Sequence, residues 1–204
     1  MKKTQIVIIH GGNSFRNYAD YICFLKTTPL KKENLKSKKD WKDMLNAKLP
    51  KHYDVLSPRM PNKTNAKYEE WKIWFDRILK VLDKEFILIG HSLGGIFLAK
   101  YLAENNIKKK VVATILVAAP YDDSYAKDSL ESVAEFSLPK SLENFRRQSQ
   151  KIYLIYSRDD PIVHFSHLAK YRKKLPNAKV ITFRNRGHFN QRSFPELINL
   201  INSF

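Results

Sequence analysis

The stretch between residues 86 and 103 joins a short apolar run, a tight turn around one serine, and an apolar helix. Residues 86–95 read Phe-Ile-Leu-Ile-Gly-His-Ser-Leu-Gly-Gly, and residues 96–103 are apolar at almost every position. A short continuous apolar run is typical of a strand buried on both faces. Glycines two positions before and two positions after the serine permit a turn in which larger side chains would collide. A buried strand that turns sharply into a buried helix predicts a parallel sheet covered by helices.

The serine in this turn, Ser92, is placed as a nucleophile. In a G-x-S-x-G turn between a strand and a helix, the strained backbone lifts the serine side chain above the sheet. The N–H of Leu93 then lies unpaired at a helix N-terminus, where the helix dipole would stabilise an oxyanion. The competing interpretation is a glycine-rich turn with an ordinary N-cap serine. Because a strand precedes the motif and a helix follows it, we favour the interpretation of Ser92 as a nucleophile.

Strands and helices alternate along the whole chain. The predicted buried strands lie at residues 5–10, 53–57, 86–89, 111–118, 152–156 and 180–183. This alternation predicts a three-layer α/β fold of about six mostly parallel strands with helices on both faces. At 204 residues, the chain is expected to form a single domain over 1–204. The polar segment 121–150 is too short for a large lid, so little or no cap is expected.

A serine hydroxyl needs a general base, and the chain offers six histidines for this role. Five of them precede the serine, adjoin it, or follow the fifth strand too closely: His10, His52, His91, His164 and His167. His188 stands alone on the loop after the last strand, beside Gly187, and is the predicted base. Active residues of parallel sheets lie at the carboxyl ends of strands, and the order serine, acid, histidine suits an elbow of this kind.

The acid that orients the histidine is predicted from the loop after the fifth strand, where Asp159 and Asp160 are adjacent. Neighbouring side chains point in different directions. One aspartate is therefore expected to reach His188, and the other to be a turn or helix-cap residue. Asp160 is preferred because Pro161 restricts it to extended backbone angles, and because the aliphatic residues 162–163 can anchor the loop. Asp159 remains the alternative.

The second oxyanion donor is expected from the loop after the first strand, which reads His-Gly-Gly-Asn-Ser at residues 10–14. The N–H of Gly12 is the predicted donor and that of Asn13 the second choice. His10 is predicted to hold this loop in place rather than to take part in the chemistry.

With these residues, the chain resembles the α/β-hydrolases throughout its length. It is most similar to the small, nearly cap-less serine hydrolases of the YdeN and retinoblastoma-binding-protein-9 types. The segments that carry the resemblance are residues 10–12, 90–95, 159–163 and 187–189. In that family the acid is followed by any residue and then by two aliphatic ones, which matches Asp160 with Ile162 and Val163. The resemblance implies a triad in which Ser92 and His188 act with this acid, and it implies neither a cofactor nor a metal ion.

The chain is strongly basic, with 37 lysines and arginines against 20 acids and a formal charge of +17. The densest stretch, 26–51, holds nine lysines and three acids, and it departs from the pattern of the family that the chain resembles. Lysine is spread along the chain, and neither zinc-finger spacing nor an RNP-type strand is present. We interpret the charge as a solvated surface and expect no specific nucleic-acid partner.

Apolar runs are short throughout the sequence. The longest, 111–119, cannot span a bilayer, and the run at 6–9 is too short for a signal core, so a cytoplasmic protein is expected. The single cysteine, Cys23, excludes an internal disulfide. It lies in an apolar helical pattern and is expected to be buried, as is the aromatic stripe that contains Trp71 and Trp74.

Two functions are consistent with these features. The leading hypothesis is a serine hydrolase that cleaves a small-molecule carboxylic ester, or an amide or thioester, through an acyl-serine intermediate. The alternative is a non-catalytic binding protein on the same fold, whose basic surface holds an anionic partner. The joint presence of Ser92, Asp160 and His188 favours the enzyme.

Overall fold

The described residues, 3–36, 39–124 and 129–204, contain a sheet of six parallel strands in this computed structural model. The strands are β1 (Thr4–Ile9), β2 (Tyr53–Leu56), β3 (Glu85–His91), β4 (Lys110–Val117), β5 (Ile152–Ser157) and β6 (Lys179–Phe183). They lie side by side in the order β2-β1-β3-β4-β5-β6. All six predicted strands are present, and each predicted boundary lies within a few residues of the observed one.

Seven α-helices follow or separate the strands in the described part of the chain. They are α1 (Tyr18–Thr27), α2 (Trp41–Lys48), α3 (Tyr68–Val81), α4 (Leu93–Glu104), α5 (Glu143–Gln148), α6 (His167–Lys174) and α7 (Pro195–Ile201). Among residues 3–36, 39–124 and 129–204, none of the helices is both long enough and apolar enough to span a membrane.

The helices cover both faces of the sheet and thereby confirm the predicted three-layer architecture. Successive strand side chains point to opposite faces, so Ile6 and Ile8 belong to one core and Val7 and Ile9 to the other. Helices α2 and α7 pack on the first face, and α3, α4 and α6 pack on the second. The central strand β3 is buried on both sides, which is why its sequence is continuously apolar.

The strand order reverses between β1 and β3. From β1 the chain adds β2 on one side and then crosses to β3 on the other, and Ile9 pairs with Gly90 at the carboxyl ends of the two strands. Parallel sheets bind ligands in the crevice that opens at such a reversal. This topology brings the loop at residues 10–14 beside the turn that carries Ser92.

Two expectations about burial are wrong. Cys23 is exposed, because α1 buries none of its residues and contacts the core through the rings of Tyr21 and Phe24 against Phe15. Trp74 is 38% exposed although Trp71, one turn earlier, is fully buried. The aromatic stripe of α3 is therefore wider than the part of the helix that faces the sheet.

In the described part of the polar segment after β4, little regular structure precedes α5. Its described residues form a 3-10 turn at Ala134–Phe136 and an isolated bridge between Glu131 and Phe15. Residues 125–128, which belong to this segment, lie outside the described part of the chain. The described residues agree with the expectation of little or no cap.

Candidate active site

Ser92 occupies the sharp turn between β3 and α4 with φ 53° and ψ −123°. This left-handed backbone conformation is costly for a non-glycine residue and persists only where the surroundings impose it. A Cβ atom on Gly94 would collide with the carbonyl oxygens of Ile9 and His10, so only glycine fits there. An ordinary N-cap serine accepts a backbone N–H, whereas the Ser92 side chain makes no capping hydrogen bond. The geometry is that of a nucleophile elbow.

Asp160 and His188 form a buried pair at the ends of β5 and β6. His188 Nδ1 lies 2.9 Å from Asp160 Oδ2 and 3.1 Å from Oδ1, and each residue is 8% exposed. Asp160 Oδ1 also accepts the N–H groups of Ile162 and Val163 at 2.8 and 2.9 Å. These two donors hold the carboxylate in one orientation. The Val163 side chain is buried as expected, whereas the Ile162 side chain is 65% exposed and does not anchor the loop in the core.

Asp159 accepts hydrogen bonds from the surrounding loops and does not bond to the histidine ring. Its Oδ1 accepts the Ser157 hydroxyl at 2.5 Å and the Gly187 N–H at 2.9 Å. The Ser157 oxygen in turn accepts the N–H of Arg186 at 2.9 Å. The two adjacent aspartates thus point in different directions: Asp160 faces the His188 ring, and Asp159 holds the backbone of the loop that carries it.

The two expected oxyanion donors, Gly12 and Leu93, line the same cavity. Neither the Gly12 N–H nor the Leu93 N–H donates to another group within the described residues, whereas the Asn13 N–H donates to the Lys63 carbonyl at 2.8 Å. Asn13 is therefore engaged elsewhere and Gly12 is available. A Cβ on Gly12 would come within 2.5 Å of the Lys63 oxygen, so a larger residue would displace this loop.

These groups open onto one cavity of about 750 Å³. Ser92, His188, Gly12 and Leu93 all line it. The charged lining residues include Asp40, Lys42, Lys63, Asp122, Asp123 and Glu131. Among the described residues, the Ser92 hydroxyl has no hydrogen-bond partner. Hydrogen bonds between a nucleophile and its general base are often long without substrate and tighten when substrate binds. Within the same residues, no three His, Cys, Asp or Glu side chains are arranged to hold a metal ion.

Three further histidines around the cavity, His10, His91 and His167, contact backbone groups and hold loops in place. His10 accepts the Met60 N–H at Nε2, 2.9 Å away, and Nδ1 donates to the Gly11 carbonyl. His167 Nδ1 accepts the Tyr121 N–H at 3.1 Å. Burial lowers the pKa of His10, lowers that of His167 to about 4, and lowers that of His91 well below its ordinary value. All three are neutral at pH 7.

We expect the protein to lose stability when the pH falls below about 6.5, because the unfolded chain then binds protons that the folded chain excludes. A depressed histidine pKa stabilises the fold fully above the unfolded value and progressively less below it. For His167, with a folded pKa of about 4, the loss between about pH 7.5 and about pH 5 is about 2 kcal/mol. Thermal midpoints at both pH values measure it.

In His167→Asn, whose amide oxygen lies near the position of Nδ1 and can still accept the Tyr121 N–H, the stability should fall less on acidification. His52, which is exposed, provides the matched control, and His52→Asn should behave as the wild type. An identical pH dependence in the wild type and His167→Asn would contradict the assignment of a depressed pKa.

Two residues near the site escaped the sequence-based prediction. His91 Nε2–H donates to the His188 carbonyl at 2.8 Å, and Trp41 Nε1–H donates to the Phe189 carbonyl at 2.8 Å. The sequence indicated only that His91 adjoins the nucleophile, and it assigned no role to Trp41.

The parallel sheet, the elbow after its central strand and the Asp–His pair at neighbouring strand ends define an α/β-hydrolase. The family model described as serine hydrolase matches residues 34–198. The chain belongs to this serine hydrolase family.

Individual relatives agree with this membership. Serine hydrolase RBBP9 of Rattus norvegicus is 30% identical over 151 residues, which cover 74% of this chain and 77% of the rat protein. The ydeN gene product of B. subtilis has the same fold, with a TM-score of 0.69, 19% identity and 98% coverage of both chains. A carboxylesterase structure from the Thaumarchaeon Nitrososphaera gargenis aligns with a TM-score of 0.63 and 16% identity, covering 99% of this chain and 89% of its own.

Proposed function

We propose that this serine hydrolase cleaves carboxylic esters through an acyl intermediate on Ser92. The observation that carries the proposal is the buried Asp160–His188 pair, whose histidine lines the same cavity as the elbow serine. A buried carboxylate on Nδ1 selects the tautomer that leaves Nε2 free to accept a proton. That proton would come from the hydroxyl of Ser92.

In the proposed reaction, Ser92 Oγ attacks the ester carbonyl carbon while its proton passes to His188 Nε2. The carbonyl oxygen becomes an oxyanion and accepts hydrogen bonds from the N–H groups of Gly12 and Leu93. The C–O bond then breaks, and His188 returns the proton to the departing alcohol. Water repeats the sequence on the acyl-serine, releases the acid and restores the enzyme.

The cavity supports a small-molecule substrate with polar character. Its volume of about 750 Å³ lies within the range of sites for small ligands, and six of its lining residues are charged. The likeness to a carboxylesterase structure supports the ester class. A likeness to the thioesterase domain from the curacin biosynthetic pathway, with a TM-score of 0.62, keeps thioesters among the substrates to be tested.

A rate survey tests the proposal. We expect purified protein to hydrolyse p-nitrophenyl esters, with a clear optimum among acyl chains of increasing length, and to be labelled by a fluorophosphonate. Matched thioester and anilide substrates should be cleaved more slowly. A folded wild-type protein that shows neither turnover nor labelling would overturn the proposal and favour a non-catalytic binding protein.

A further inference from the structure

Two consecutive carbonyl groups in the loop that carries His188 receive buried side-chain donors. The His188 carbonyl accepts His91 Nε2–H, and the Phe189 carbonyl accepts Trp41 Nε1–H, both at 2.8 Å. His91 is 4% exposed and Trp41 is 1% exposed, so water does not compete for either hydrogen bond. The two donor rings also meet edge to face, with centroids 6.2 Å apart.

The backbone that they hold is unusual. Gly187 has φ 50° and Phe189 has φ 53°, so the residues on both sides of His188 adopt left-handed conformations. Phe189 carries a side chain and is fully buried, and such a residue keeps this conformation only when the surroundings impose it. This backbone conformation determines the direction in which the His188 ring leaves the loop.

The donor on Phe189 comes from the lysine-rich stretch. Trp41 is the first residue of α2, which begins at Asp40 with a capping box. The backbone N–H of Trp41 also donates to the Gln191 carbonyl at 3.0 Å. The start of α2 is therefore tied to the His188 loop at two points, one on each side of Asn190.

We propose that Trp41 and His91 are positioning residues, which hold the carbonyls of Phe189 and His188 so that the imidazole stays aligned between Asp160 and Ser92. Neither side chain takes part in proton transfer. This inference rests on the proposed ester hydrolysis, and it assigns a function to the start of α2, which lies within the lysine-rich stretch.

Trp41→Phe distinguishes the hydrogen bond to the Phe189 carbonyl from the packing of the aromatic ring, because it keeps a ring in the core and removes the N–H. We expect kcat to fall by about 100-fold with KM unchanged, since small misplacements of a catalytic group cost about this much. Tyr53→Phe is the matched control. It removes a buried hydroxyl that donates to the Ile201 carbonyl at 2.8 Å, on the same face of the sheet but away from His188. Its kcat should stay near that of the wild type.

The second donor is tested by a pair of substitutions at His91. His91→Gln keeps an N–H near the position of Nε2, and His91→Phe keeps an aromatic ring without a donor. We expect His91→Gln to retain most of the wild-type kcat and His91→Phe to lose it by about as much as Trp41→Phe. A merely structural role would make the two variants differ in thermal midpoint without this ranking in kcat.

A spectroscopic readout keeps the inference independent of turnover. The downfield proton resonance of His188 Nδ1–H, bonded to Asp160, should broaden or move in Trp41→Phe and remain in place in Tyr53→Phe. If Trp41→Phe matches Tyr53→Phe in both kcat and this resonance, the inference is wrong even though the enzyme is active. If the wild type is inactive, the proposed function fails, and the resonance alone decides whether Trp41 positions the ring.

Discussion

Ser92→Ala is expected to lower turnover by about a million-fold while the protein remains folded. Without the hydroxyl there is no acyl acceptor on the elbow, and the oxyanion donors and binding groups that remain supply little rate by themselves. The Ser92 side chain makes no capping hydrogen bond with α4, so its truncation removes no such bond from the helix. Ester turnover, fluorophosphonate labelling and far-UV circular dichroism on the same preparation measure the effect.

Ser14→Ala is the matched control for this experiment. Ser14 lines the same cavity, but its hydroxyl donates to the Ala66 carbonyl at 3.1 Å. Its removal should cost about 1 kcal/mol of stability and leave labelling intact. Retained labelling in Ser92→Ala, or equal losses of turnover in the two variants, would show that the nucleophile is another residue.

Asp160→Asn is expected to lower turnover by about ten-thousand-fold with the fold retained. The amide N–H₂ of asparagine would donate to His188 Nδ1 and thereby place the ring proton on Nε2. In that tautomer, His188 cannot accept the proton of Ser92. The asparagine oxygen can still accept the N–H groups of Ile162 and Val163, which keeps the loop in place.

Asp159→Asn is the neighbouring control and should behave differently. Its carboxylate contacts Ser157 and the Gly187 N–H but not the His188 ring. We expect a lower thermal midpoint with turnover within a small factor of the wild type. The reverse pattern, with Asp159→Asn inactive and Asp160→Asn nearly normal, would transfer the role of the acid to Asp159.

The positions of the strands along the chain and the elbow could be predicted from the sequence because both depend on local physics. A strand buried on both faces must be continuously apolar, and residues 86–89 satisfy this without reference to any distant residue. Gly90 is likewise required by the turn itself, because a Cβ atom there would collide with the backbone of Gly94 and Gly95. The order of Ser92, Asp160 and His188 along the chain then indicated which loops meet at the carboxyl edge of the sheet.

Burial at the margins of the core was less predictable. Cys23 and Trp74 both lie in apolar helical patterns, yet both are exposed. A periodic pattern shows that a helix has an apolar side, but the width of the surface that covers this side depends on the neighbouring elements. Helix α1 contacts the core through a few aromatic rings, and its cysteine faces away from them.

The sequence by itself determined the sheet, the elbow and the set of candidate side chains, because apolar periodicity and steric limits act between residues close in the chain. Only the tertiary structure decided that Asp160 rather than Asp159 faces His188, since side-chain directions depend on how the loop leaves β5. Only the tertiary structure showed that Trp41 binds the Phe189 carbonyl across 148 positions of the chain. Every residue has a backbone carbonyl, so no residue type marks such an acceptor, and folding alone selects the one that a buried donor reaches.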